Sequence, residues 1–181
     1  MIQSWPHSLQ FDLWCNLTRT PEQFETVGHW CVRVLPKGWS HVAGFGIRQN
    51  TLGSQRTPAN VSLREDTLGG EDNLSAYIQA QAKMIGRYLG SPEMAGPQSI
   101  SFKKADEAFL FLVRHAPVET GPILHAQTYV RFGNWIGIVT LTTSDSALDT
   151  VRPDYDAFLQ GLKVALEEQS GSMEDIVKGH V

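Results

Sequence analysis

The groups that could do chemistry in this chain of 181 residues are six histidines, two cysteines and scattered carboxylates, and they do not converge in sequence. His7, His29, His41, His115, His125 and His180 show no metal-ligand spacing. His29 and Cys31 are two apart, so on a strand they would share a face, the minimum for a ligand pair or an activated thiol. No third partner lies near them in sequence. Cys15 and Cys31 are read as small buried hydrophobes rather than a disulfide or metal pair. There is no phosphate-binding glycine loop, no HExxH and no CxxC. Asp and Glu fall in loops and at helix starts, where capping explains them. The chain therefore reads as a non-enzyme without metal or cofactor.

Two amides stand out instead. Gln127 lies in the segment Ile123 to Phe132, which alternates as a strand. Leu124, Ala126, Thr128, Val130 and Phe132 form a core face. Ile123, His125, Gln127, Tyr129 and Arg131 form a mixed face, which is either a wetted side of an antiparallel sheet or a surface for a ligand or partner. Gln81 interrupts an apolar helical stripe of Leu74, Tyr77, Ile78, Ile85, Tyr88 and Leu89. It either reaches water at the stripe's edge or is buried and needs a partner. An unpaired buried amide costs on the order of 1–3 kcal/mol.

The elements that must position these residues start from a meander. Strands are expected over 108–114, 123–132 and 135–142, joined by a loop at Pro117 to Pro122 and a tight turn at Gly133-Asn134. Short loops make them antiparallel. Ala59 to Glu65 is another strand, and a short one is expected at Ser99 to Lys103. Trp30 to Leu35 and Trp39 to Ile47 flank a Pro36-Lys-Gly38 turn, with Gly44 and Gly46 marking a bulge or close backbone approach. The helix over 74–89 starts at Asp72 or Asn73 and stops at Gly90-Ser-Pro92. A final helix opens at Pro153 and runs to about 167. Thr20-Pro-Glu-Gln23 suggests a brief helix ending near Gly28. The fold class is α+β, an antiparallel meander packed against amphipathic helices. Residues 1–29 read as an N-terminal extension, 30–168 as the domain and 169–181 as a flexible tail.

A net charge of −4 without any Lys/Arg cluster argues against nucleic acid. No apolar run approaches the roughly 20 residues of a membrane span, and no secretion signal is visible, so the cytoplasm is expected.

The order of features resembles one family. Leu35-Pro-Lys-Gly-Trp39 is followed by a strand and then by Ala59-Asn-Val-Ser-Leu-Arg-Glu65. A helix with Tyr77 and Gln81 four apart comes next, then strands carrying Ala126-Gln127 and Val139-Thr-Leu-Thr142, and a closing helix. Over roughly residues 30–168 this resembles the DcrB/DUF1795 family, which has the Mog1/PsbP-like fold. Within that family the chain is most similar to effector-associated chaperones of bacterial type VI secretion. The resemblance implies a homodimer whose concave sheet face shields the apolar N-terminal helices of an effector protein before export. It implies partner-binding positions at Phe45, Ile47, Gln81, Ile85, Leu89, Ile123 and Gln127. The alternative is a non-catalytic protein-binding adaptor on the same fold.

Overall fold

The structure is a computed structural model that describes residues 25–32, 35–42, 46–49, 58–70, 73–117 and 121–164. Its centre is the meander β7 (Glu107–His115), β8 (Ile123–Phe132) and β9 (Trp135–Ser144). Gly133 turns β8 into β9 with φ of +58°, a conformation that suits a residue without Cβ. The register is set there, with Phe132 opposite Trp135, and runs unbroken to Ile123 opposite Ser144. β5 (Asn60–Thr67) extends the sheet beyond β9, followed by β4 (Gly46–Gln49) and the edge strand β3 (Trp39–Val42). β6 (Glu93–Ser99) forms the other edge, beside β7. All seven strands pair antiparallel. Gly46 is needed for the close approach of β4 to β5, because a Cβ there would stand 2.8 Å from the Val61 carbonyl.

The two faces of this sheet are covered differently. One face carries Leu110, Leu112, Leu124, Ala126, Val139 and Leu141 into the main core. It is sealed by α2 (Leu148–Gly161) through Val151, Tyr155, Phe158 and Leu159. A small sheet of β1 (Glu25–Val27), β2 (Trp30–Val32) and β10 (Leu162–Val164) adds Trp30, Val32 and Leu162. Thr128 is fully buried here and is satisfied by Tyr155, whose hydroxyl lies 3.0 Å from Thr128 Oγ1 and 3.2 Å from the Val139 carbonyl. Trp39 Nε1 donates to Asp154 Oδ2 at 2.8 Å, fastening the edge strand to α2.

The second face receives α1 (Leu74–Leu89). Asn73 caps it by accepting from the Ala76 N–H at 2.9 Å. Glu107 Oε2 accepts from the Leu74 N–H at 3.1 Å and from Arg131 Nε at 2.7 Å, so the helix start is tied to two strands at once. A carboxylate at this end also suits the helix dipole. Leu74, Tyr77 and Ile78 are buried against Phe111, Val113, Tyr129, Ile136 and Ile138. Gly90, at φ of +64°, ends the helix as expected.

Several expectations require correction. The stretch before Gly28 is strand at Glu25–Val27, not helix; it pairs with β2 and lies within the segment read as an extension. Trp39 to Ile47 is not one strand but a hairpin of β3 and β4, and β2 belongs to the small sheet. The strand expected at Ser99 to Lys103 lies earlier, at Glu93–Ser99, because an edge strand with a bulge tolerates Pro97. The last helix begins five residues before Pro153 and stops at Gly161. Proline inside a helix costs about 3 kcal/mol, whereas each large apolar side chain buried contributes roughly 1.5–3 kcal/mol. The turn before Pro153 buries Val151 and packs Leu148 against the main core, which offsets that cost. Cys15, the Thr20 cap, the expected end of the last helix near 167 and the 169–181 tail lie outside the described residues.

Gly137 on β9 sits under Trp30 and Trp135, whose rings a Cβ would strike. Gly137→Ala should therefore destabilise the protein by about 1–3 kcal/mol through overpacking, read as a lower urea midpoint. An unchanged midpoint would mean that the two tryptophans can move aside.

Candidate functional site

The strand register assigns the side chains of the second face to rungs. Phe111, Gln127, Thr140 and Ser62 share one rung, and Val113, His125, Thr142, Asn60 and Arg48 share the next. His115, Ile123 and Ser144 form a third. α1 seats on Phe111 and Val113 and on the rungs of Tyr129 and Ile136. From β8 across to β4, the three rungs carry amide, hydroxyl and imidazole groups that are only half-buried. Among the described residues no element covers this largely polar floor, which adjoins an apolar helix.

α1 presents a graded wall to this region. Tyr77, Gln81, Met84 and Tyr88 follow one another at helical spacing along one side. Exposure rises from 5% at Tyr77 to 45% at Met84 and 87% at Tyr88, with Gln81 half-buried between. The Tyr77 ring meets the Tyr129 ring edge-on at 6.2 Å, and Tyr77 donates to Asp66 Oδ2 at 2.6 Å. Burial and then that carboxylate push the Tyr77 hydroxyl well above its ordinary pKa, so it stays protonated and donating. Tyr129 in turn donates to Gln127 Oε1 at 2.9 Å. This bond orients the Gln127 amide and leaves its two N–H donors without a partner among the described residues. The Gln81 amide likewise has none among them.

Two histidines complete the floor. His115 Nε2 and His125 Nε2 are 3.0 Å apart, and His125 Nδ1 is 3.0 Å from Thr142 Oγ1. Burial, and then the charge that His115 would carry, hold the His125 pKa below its ordinary 6.5. Elsewhere, His29 bonds Glu65 twice, from its backbone N–H at 2.6 Å and from its ring at 2.8 Å. Burial raises the Glu65 carboxyl, but these bonds overcome it and hold the pKa below the usual range. Cys31 is a free thiol, and no third ligand joins it and His29 among the described residues.

Of the positions implied by the family resemblance, Ile123 and Gln127 lie on the open rungs, and Gln81 and Ile85 lie on α1. Leu89 is at the helix end and 38% exposed. Ile47 must be corrected: it pairs with Val61 and is 3% exposed on the opposite face, in the main core. Strand alternation sends it there and puts Gly46 and Arg48 on the open side. Phe45 lies outside the described residues. Tyr88, counted with the apolar stripe, is not covered at all. The pairing of His115 with His125 escaped sequence reasoning because it needs the β7–β8 register, which places them diagonally across two strands.

No family model and no curated protein matches the sequence. Solved structures do match its fold. The Pseudomonas aeruginosa protein of unknown function PA94 superposes with a TM-score of 0.56 at 16% identity, covering 77% of this chain and 94% of its own. LpqN, involved in cell envelope biogenesis of Mycobacterium tuberculosis, gives 0.58 at 11%, covering 80% and 86%. The Saccharomyces cerevisiae Ran-binding protein Mog1p gives 0.51 at 9%, covering 80% and 96%. The chain therefore has the α+β, Mog1-like fold. No helix among the described residues is long and apolar enough to cross a membrane.

With its folded pKa depressed, His125 binds its proton later than the unfolded chain does. Its contribution to stability is complete above pH 6.5 and is lost as pH falls below that value. The Glu65 contribution is lost only below 4.5, so the two windows separate. Urea midpoints measured across pH should begin to fall below 6.5, and His125→Gln should flatten that first decline. A decline of the same size in the variant would assign it to other groups.

Proposed function

We propose that this protein is a non-catalytic chaperone that holds an apolar helical segment of a partner protein against the uncovered part of its sheet. The carrying observation is the mismatch on the second face. α1 buries its first turns and leaves Met84, Tyr88 and Leu89 exposed beside an unsealed floor. Exposed apolar clusters of this kind mark interaction sites. A helix laid there would meet an apolar wall on α1 and spare amide donors at Gln81 and Gln127, a helix-in-groove mode of recognition.

The resemblance to type VI secretion effector chaperones supplies the finer reading. The partner would be an effector whose hydrophobic N-terminal segments are shielded in the producing cytoplasm until export. On that reading the protein works as a homodimer, since a sheet face and two edge strands left open among the described residues favour self-association. A second reading, a protein-binding adaptor, draws support from Mog1p, a Ran-binding protein of the same fold. The partner's chemistry separates the two: a chaperone selects an apolar N-terminal segment, whereas an adaptor binds a folded surface.

Ile123→Asp and Tyr88→Asp should each weaken capture of an apolar N-terminal segment by about a hundredfold, because the charge would be desolvated against the guest. Gln127→Ala should weaken it about fivefold, the loss of one ordinary hydrogen bond. The measurement is copurification and titration with the partner, alongside thermal melts. Tyr88→Asp leaves the fold intact because Tyr88 is already in water, so retained binding by that variant would remove α1 from the site.

A further inference from the structure

The histidine pair on the floor is built to share one proton. The ring planes lie within 5° of each other with centroids 5.1 Å apart, yet the two Nε2 atoms approach to 3.0 Å. The rings therefore meet edge to edge, nitrogen to nitrogen, rather than face over face. Thr142 Oγ1 and His125 Nδ1 share one hydrogen and the two Nε2 atoms share another, and either His125 tautomer satisfies both contacts, the donor roles reversing together. The neutral pair satisfies both bonds. Charging one ring places a cation on the floor. Charging both sets N–H against N–H between the two Nε2 atoms and breaks the pair.

Among the described residues little nearby could offset those charges. α1 carries no acidic residue, and its Lys83 and Arg87 fall on the side of the helix away from the sheet. On β7, Arg114 and its partners Glu93 and Asp145 belong to the opposite face by alternation. β8 and β9 contribute only amide, hydroxyl and apolar groups to the three open rungs. Three strands over from His125, Arg48 of β4 shares its rung and is itself a cation, and Arg64 of β5 lies on the rung of Tyr129 and Ile138. Burial already disfavours the charged form of His125.

We propose that the His115–His125 pair makes this face proton-sensitive, so that it holds an apolar helix when the pair is neutral and releases it when the pair is charged. The inference rests on the binding reading above and adds its regulation. A guest lying on the floor would strip water from the pair and so oppose its protonation, and by linkage protonation would expel the guest.

The test uses the whole chain and a fluorescent Leu/Ala-rich helical peptide of about 20 residues. Affinity should fall about tenfold between about pH 7.5 and about pH 5.5. In the double variant His115→Gln/His125→Gln the ratio of the affinities at the two pH values should fall to near one. In the free protein, ring carbon NMR shifts should show the two histidines titrating as a coupled pair, with the second step below the ordinary histidine range. Binding that is equally tight at both pH values in the wild type would overturn this inference while leaving the site itself standing. Independent titration of both rings near the ordinary value would overturn it too. Absence of binding at either pH would overturn the reading of the face and this inference with it.

Discussion

A seven-stranded sheet has two faces to keep from water, and this chain spends its covering material on one of them. α2, Trp30 and Val32 of β2 and Leu162 of β10 all close over the face that holds Leu124, Ala126, Val139 and Leu141. Among the described residues the other face has α1 alone, and only Leu74, Tyr77 and Ile78 of that helix are buried. This asymmetry sets where the core is, where the helix can rest and which strand rungs are left open. It follows from register: shifting a strand by one residue would exchange its two faces and bring the amide and imidazole groups into the main core.

Polar groups inside the structure fasten its elements to one another. Tyr155 reaches through the core to Thr128 and the Val139 carbonyl, so one hydroxyl joins α2 to the two central strands. Glu107 holds the start of α1 and Arg131 together. Trp39 and Asp154 lock the far edge to α2. Each satisfies a group that would otherwise carry a desolvation cost. The open rungs differ in kind: Gln127 uses its oxygen on Tyr129 and keeps its donors. That spare capacity, beside apolar residues that the fold declines to bury, is the physical basis for reading this face as a binding surface.

The meander and its α+β class were legible from residue order alone, because alternation over 108–142 and the Gly133-Asn134 turn admit one local geometry. The 74–89 helix was legible as well, with its stripe and its Gly90 stop, and its cap was narrowed to Asp72 or Asn73, of which the structure uses Asn73. Local sequence also identified Thr128 and its neighbours as the core side of β8. Sequence could not decide whether an alternating polar row meets water, a partner or another element, since that depends on what covers it. Tertiary structure alone buried Ile47 on the far side of the sheet and uncovered Tyr88. Packing also extended α2 back across Pro153, where burial of Val151 and the seating of Leu148 offset one lost backbone bond. The His115–His125 contact depended on register as well: ten residues apart in the chain, the two rings meet only because β7 and β8 pair with Phe111 opposite Gln127. Short-range pattern fixes which elements form, whereas the pairing of strands and the reach of one helix decide which side chains are left free to act.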